Sequence, residues 1–355
     1  MRFHVVSLPH TNTTADFPSC AFTQKVVRFA KMMMDLGHEV FLYAGEQNEA
    51  PCTEHVPCIS ERRRAEMVGL KHYTEADWSH PHWRGFCANV IGQMHERIEP
   101  QDFICLIGGH AHKPVADAFP KHISVEFGIG YAGTFAMYRV FESYAWMHTV
   151  YGAQTGGNAG AADGQWYDAV IPNQIEDGLY DLSRERGDYA LYVGRLIDRK
   201  GYRIAQEVCQ AKGIELILAG PGRDRGNGYG RFVGEVGAKD RATLMAGAAC
   251  LFAPTVYVEP FGTVTIEAMA CGTPVICSDW GAFTETVEQG VHGFRCRSFA
   301  EFCAALDRVG SLDHRRIRDD AHRRFSMATV GRQYEDYFRR LSSLWGKGWY
   351  EEAAA

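Results

Sequence analysis

The sequence predicts an α/β protein built from two doubly wound domains, and three observations carry that reading. Short apolar runs alternate with stretches of helical spacing along most of the chain. The alternation falls into two series, with a break near Asn173. The 355 residues, at roughly 100–200 residues per domain, leave room for two cores. A composition of 46% apolar and 23% charged residues is ordinary for folded domains.

The first series opens with residues 3–8 (FHVVSL), an apolar run followed by a Thr-, Asn- and Pro-rich loop over 9–19. Residues 22–36 then place apolar side chains at helical spacing and stop at Gly37, a favoured residue just past a helix end. Residues 39–44 (EVFLYA) read as a second strand, so the segment is a β-α-β unit, which implies a parallel sheet. Residues 88–98 look helical, and 103–107 (FICLI) and 123–127 (ISVEF) read as buried strands. Residues 138–146 read as an aromatic helix or its start, 152–164 as a Gly/Ala-rich loop, and 168–172 as a strand ended by Pro172-Asn173.

The second series places strands at 190–193, 214–219, 250–254 and 274–277. Helices fall at 202–212, 241–249, 263–270, 299–309, 313–326 and 334–345. The expected division is an N-terminal domain over 1–172, a C-terminal domain over 173–330, and a final helix in 331–355 that packs back toward the N-terminal domain. The two domains are expected to face one another across a cleft. The chain shows no internal repeat, and the tail after Gly346 reads as frayed.

Composition narrows the function. The formal net charge is −6, which disfavours broad neutralisation of a phosphate backbone and hence non-specific nucleic-acid binding. The 11 Cys are irregularly spaced with no CxxC, and Cys20, Cys105, Cys209, Cys250 and Cys271 lie in apolar runs. They read as buried free thiols and point to a reducing, cytoplasmic setting. No leader segment and no run of about 18 apolar residues is seen, so neither secretion nor a membrane span is expected.

Two motifs carry chemistry. Gly194-Arg195-Leu196-Ile197-Asp198-Arg199-Lys200-Gly201 follows a strand and precedes a helix, where ligands bind in open α/β sheets. Arg195 and Lys200 there can clamp a diphosphate through charge-assisted hydrogen bonds, although a solvated basic loop would look the same. The second motif runs from Glu259 to Glu267 (EPFGTVTIE). Gly262 admits close backbone approach, the N–H groups of Phe261, Gly262 and Thr263 open a helix toward an anion, and a carboxylate stands at each end. Carboxylate, phosphate cradle and carboxylate suit a sugar, a diphosphate and a ribose in turn.

With AGPG and CGTPVICSD alongside, these motifs resemble the donor domain of retaining GT-B glycosyltransferases of the large family (family 4-like) that includes sucrose synthases, bacterial-type glycogen synthases and mannosyltransferases. The resemblance runs from about residue 171 to 293 and implies two Rossmann-like domains. It implies that Arg195, Lys200 and the backbone of Phe261, Gly262 and Thr263 bind the donor diphosphate. Glu267 would hold the ribose and Glu259 the transferred sugar, with Gly234, Glu235 and Val236 near the base. It further implies a hexose moved from a UDP-sugar, or next a GDP-sugar, with retention and with no metal or other cofactor.

The N-terminal half departs from that family. The loop after the first strand is Pro9-His10-Thr11-Asn12-Thr13 where many members have Gly-Gly, and Glu126 stands where many have a cleft histidine. Glu126 either faces the anomeric centre, as a catalytic group beside Glu259, or is a satisfied, partly buried carboxylate. His110, which follows Gly108-Gly109, and His10 are candidates to edge the cleft. The other histidines (His72, His80, His82, His112, His148) show no recognised metal spacing and read as surface or cleft-lining groups. Arg62-Arg63-Arg64 can attract an anionic acceptor or form a solvated helix face. The acceptor is left open among small molecules, glycans, lipid head groups and modified DNA bases. An epimerase or hydrolase on the same architecture, and a non-catalytic nucleotide-sugar-binding subunit, are the rival readings. A dinucleotide oxidoreductase is disfavoured because no GxGxxG follows the first strand.

Overall fold

The computed structural model describes residues 1–17, 20–68, 80–176, 178–180, 186–224 and 226–345; His72 and the tail from Gly346 lie outside them. The chain forms two compact units: Met1–Phe141, Tyr151–Ile171 and Gly331–Ala355 in the first, Glu142–Val150 and Pro172–Val330 in the second.

Unit 1 holds β1 (Arg2–Val6), β2 (Glu39–Gly45), β3 (Glu54–Ile59), β4 (Phe103–Leu106), β5 (Ile123–Ile129), β6 (Tyr138–Phe141) and β7 (Ala169–Val170). They form one parallel sheet in the order β3-β2-β1-β4-β5-β6-β7. Its helices are α1 (Ala21–Asp35), α2 (Glu61–Val68), α3 (His82–His95) and α4 (Lys113–Ala118), while α5 (Tyr144–Gln154) runs on from unit 2. α1 ends where expected: Gly37 has φ +78°, and the N–H groups of Gly37 and His38 close on the carbonyls of Met34 and Met33.

Unit 2 holds β8 (Ala190–Val193), β9 (Leu216–Ala219), β10 (Arg231–Gly234), β11 (Cys250–Ala253), β12 (Val275–Ser278) and β13 (Gly293–Cys296). The sheet is again parallel, in the order β10-β9-β8-β11-β12-β13. α6 (Tyr202–Lys212), α7 (Ala238–Gly247), α8 (Thr263–Ala270), α9 (Phe283–Thr286), α10 (Phe299–Arg308) and α11 (His314–Phe325) complete it. A capping box between Ser298 and Glu301 starts α10.

The last helix, α12 (Met327–Ser342), starts in unit 2 and continues into unit 1. There Phe338 packs against Phe3, Phe29 and Phe103 with ring centroids 4.7, 6.0 and 4.9 Å apart. Tyr337 donates to the carbonyl of Tyr167 at 2.9 Å. Fully burying one such phenyl ring is worth roughly 1.5–3 kcal/mol, so this aromatic seam is a main fastening of the C-terminal helix.

Three expectations change. Residues 138–146 are a strand followed by a helix. The reason is Arg139, whose charge hides the strand pattern but which is buried against Asp168 through two contacts at 3.0 and 2.7 Å. Tyr151 adds a hydrogen bond to the same carboxylate at 2.6 Å. Residues 152–164 contain the last turn of α5 and a 3-10 turn, Ala159–Ala161. β3, β10 and β13, all edge strands, escaped the sequence reading; β3 contains Pro57, and Arg231 and Phe232 of β10 are exposed, so neither has an unbroken apolar run.

All 11 cysteines are free, and all but Cys52 and Cys303 are buried. Among the described residues no helix is long and apolar enough to cross a membrane.

Candidate active site

In unit 2 the strand order reverses between β8 and β11. The loops that follow these two strands, 194–201 and 254–262, therefore border the crevice where open α/β sheets bind ligands. They are joined directly: the N–H of Val256 donates to the carbonyl of Arg199 at 2.8 Å.

Lys200 is the last residue of a 3-10 turn, Asp198–Lys200. Gly201 closes that turn at φ +73°, and a Cβ there would run into the carbonyl of Pro254, so a glycine is required for the two loops to meet. The Lys200 ammonium reaches both carboxylate oxygens of Glu259, at 3.0 and 2.8 Å. The last cation of one motif and the first carboxylate of the other are thus one ion pair. Tyr257 packs beneath it: Lys200 and Arg199 stand 5.1 and 4.5 Å from its ring centroid. Burial, and then the Glu259 carboxylate, push the Tyr257 hydroxyl well above the usual phenol range. Arg195 lies in the same loop, partly buried, with its charge close enough to Tyr192 and Tyr257 to favour their ionised forms.

Gly262, at φ +79°, is the N-cap of α8. A Cβ there would stand 2.6 Å from the Phe283 ring. Since glycine has no side chain to cap the helix, the amide end of α8 carries no side-chain acceptor, the arrangement that favours an anion. Phe261 is buried edge-on against Phe325. The Thr263 hydroxyl accepts from Asn173 at 3.1 Å. One turn further, Glu267 is buried and accepts from the Arg241 guanidinium at 3.0 Å. Glu267 in return holds Arg241 more firmly protonated than usual. Gly234 ends β10 and Glu235 and Val236 follow it, with the carbonyl of Gly234 accepting from the N–H of Gly220 in the neighbouring strand's loop at 2.7 Å.

Residues 187–311 match the family model described as Glycosyl transferases group 1. Unit 2 carries a glycosyl transferases group 1 domain. The crevice loops, both motif glutamates, Arg241 and the α8 N-terminus all fall inside this group 1 domain. A phosphatidyl-myo-inositol mannosyltransferase of Mycobacterium leprae is 30% identical over 208 residues, 51% of this chain and 56% of that protein. The match thus spans about half the length of that curated relative. AviGT4, a glycosyltransferase involved in avilamycin A biosynthesis, superposes with a TM-score of 0.71 at 20% identity, over 97% of this chain and 98% of that one. An Anabaena protein, HepE, solved with UDP and glucose, superposes with a TM-score of 0.63 at 20% identity, over 97% of this chain and all of that one. The two units share the two-domain, Rossmann-like GT-B fold with these structures.

The unit 1 candidates have their own surroundings. Glu126, in β5, is fully buried. One oxygen accepts from Tyr131 at 3.1 Å, the other from the N–H groups of Phe135 and Ala136, both at 2.8 Å. Instead of standing open at the end of a strand, this carboxylate clamps the loop that follows its own strand. Burial raises its pKa, against the pull of the two backbone N–H groups. His110 is exposed beside Phe135. His10 is buried against Trp83, and burial lowers its pKa to about 4, so it is a neutral imidazole at physiological pH. Arg64 is turned inward, paired with Glu61 at 2.5 Å, whereas Arg62 and Arg63 are exposed.

Arg241 was not legible as a site residue. It stands 26 positions before Glu267, in a helix whose periodicity marks only Ala242 and Met245 as inward-facing, and no spacing rule links such a pair. Tyr257 was also missed, being one aromatic in an irregular loop. Among the described residues no cluster of three or more His, Cys, Asp or Glu side chains is arranged to hold a metal ion.

Proposed function

We propose that this chain is a glycosyltransferase that moves a hexose from a nucleoside-diphosphate sugar to an acceptor hydroxyl, with retention of anomeric configuration. The observation that carries the reading is the convergence of Arg195, Lys200, Glu259, Glu267 and the uncapped start of α8 on the switch point of unit 2. A protein that only packed these loops would have no use for two cations, two buried carboxylates and an open helix terminus in one crevice.

In this reading Arg195, Lys200 and the N–H groups opening α8 receive the diphosphate, Glu267 the ribose hydroxyls and Glu259 the hydroxyls of the sugar. The loop at Gly234, Glu235 and Val236 lies beside the base. Charge builds on the departing diphosphate and on the oxocarbenium-like ring as the C1–O bond breaks. The acceptor oxygen bonds to C1, and its proton passes to the departing diphosphate. Arg195, Lys200 and the helix terminus offset part of that charge, and this reading assigns no role to a metal. UDP is the favoured nucleotide, as in the Anabaena neighbour's crystals, and GDP the next.

The first test is thermal stabilisation by a panel of UDP-, GDP- and ADP-sugars. A ligand that binds only the folded state at ~100 times its dissociation constant adds about 2.7 kcal/mol. The expected result is a clear shift with one nucleotide, abolished by Arg195→Ala and by Glu267→Ala. A folded protein that responds to none of the panel would overturn the proposal.

We further propose that Glu126 orders its loop and does not attack the sugar. The variant Glu126→Gln can still accept from both N–H groups through its oxygen, while its amide nitrogen donates to the Tyr131 hydroxyl instead of accepting from it. It should retain donor turnover within a few-fold, whereas loss of a covalent nucleophile would cost orders of magnitude. Because the folded pKa of Glu126 is raised, the stability it contributes is complete below the ordinary glutamate range and is lost as pH rises through the folded value. Melting curves against pH should therefore show Glu126→Gln gaining on wild type as the pH rises.

A further inference from the structure

Each time the chain enters unit 2, its first residues are hydrogen-bonded to the turn that carries the donor motif. The entries are at Glu142 and at Pro172. After the first, the Ser143 hydroxyl donates to the carbonyl of Pro260 at 2.7 Å, and the same oxygen accepts from the N–H of Trp146 at 3.0 Å as an N-cap to α5. After the second, the Asn173 amide donates to the Thr263 hydroxyl and to the Glu142 carboxylate, both at 3.1 Å. Glu285 completes the clasp. Its two oxygens accept from the N–H groups of Tyr144 and Ala145 at 2.9 and 2.8 Å, which fixes the first turn of α5. The turn from Pro260 to Thr263 is thus held at both ends by residues outside it, and Ser143, Asn173 and Glu142 are buried.

The two ends of that turn have different neighbours in the proposed site. Pro260 directly follows Glu259, which would hold the sugar. Thr263 opens α8, whose N–H groups would hold the diphosphate. We propose that Ser143 and Asn173 are positioning residues for the donor, Ser143 setting the sugar carboxylate and Asn173 setting the phosphate-binding helix start. This rests on the donor-site reading above and deepens it. A hydrogen bond from a buried hydroxyl to a carbonyl fixes an adjacent side chain only while its geometry holds, and catalytic groups tolerate displacements of a fraction of an ångström. The segment after β6 therefore supports the group 1 domain through Ser143 and through the N–H groups of Tyr144 and Ala145.

The experiment measures dissociation constants for UDP and UDP-glucose by calorimetry, or for GDP and GDP-mannose if the panel selects guanosine, together with the melting temperature. Asn173→Ala should weaken nucleotide and nucleotide sugar alike, by about tenfold, since both carry the diphosphate. Ser143→Ala should leave the nucleotide within about threefold of wild type but remove most of the extra affinity that the sugar confers. Ser143→Thr, which keeps the hydroxyl, should restore it. Variants that melt lower yet bind both ligands as wild type does would overturn the proposal and leave a purely structural clasp. Failure of the donor-site reading itself is recognised separately, because wild type would then bind neither ligand.

Discussion

Replacing Lys200 with alanine is expected to lower donor turnover by about 10²–10³-fold, the effect of removing one group that stabilises developing charge in a transition state. The same substitution strips Glu259 of both its contacts with the ammonium. Glu259 is only 7% exposed, so its carboxylate would sit in a poorly solvated place without its cation. The pair is not fully sealed, since the Lys200 side chain keeps 23% of its surface. The stability loss should accordingly be modest, about 1–2 kcal/mol, below the cost of breaking a fully buried pair. Kinetics and melting curves on one preparation separate the two effects. A Lys200→Ala protein that turns over donor at the wild-type rate would remove the diphosphate role, whatever happens to its melting temperature.

Arg241 offers the complementary test, because stability and binding there part company. Glu267 is buried and Arg241 largely so, with side chains 4% and 17% exposed. Arg241→Met would leave Glu267 uncompensated, at a cost of about 3–5 kcal/mol, read as a fall of several degrees in melting temperature. The double variant Arg241→Met/Glu267→Gln has no buried charge left to compensate and should recover most of that loss. Donor affinity should not recover, since the carboxylate proposed to take the ribose hydroxyls is then gone. If the double variant binds donor as well as wild type does, Glu267 is a structural partner of Arg241 and nothing more.

The pairing of both motif glutamates with cations also bears on how a donor would enter. Lys200 can serve a diphosphate while it still touches Glu259, because an ammonium has three donors. Arg241 is engaged separately, with Glu267. The site therefore holds its two carboxylates in place by separate cations. Each glutamate is thus held in orientation by its own cation with no ligand present, which is the condition for preorganised binding.

The amino-acid sequence by itself determined the α/β class, the order of most helices and strands, and the two motifs that border the crevice of unit 2. The physical reason is that these are local properties. α6 and α8 follow from apolar spacing and from Gly201 and Gly262 at their starts, and β8 and β11 are central strands whose uninterrupted apolar runs announce burial on both faces. What the tertiary structure decided was every relationship between residues distant along the chain. Arg139 reads as a solvent-facing charge until Asp168, 29 residues on, neutralises it inside unit 1. Glu126 reads equally well as a catalytic or a satisfied carboxylate, and its hydrogen bonds from the N–H groups of Phe135 and Ala136 come only with the folded loop. Arg241, Ser143 and Asn173 bear on the site only through contacts spanning 26, 117 and 90 positions. Such contacts depend on how helices and loops pack on a formed sheet, and no periodicity in a single sequence encodes them.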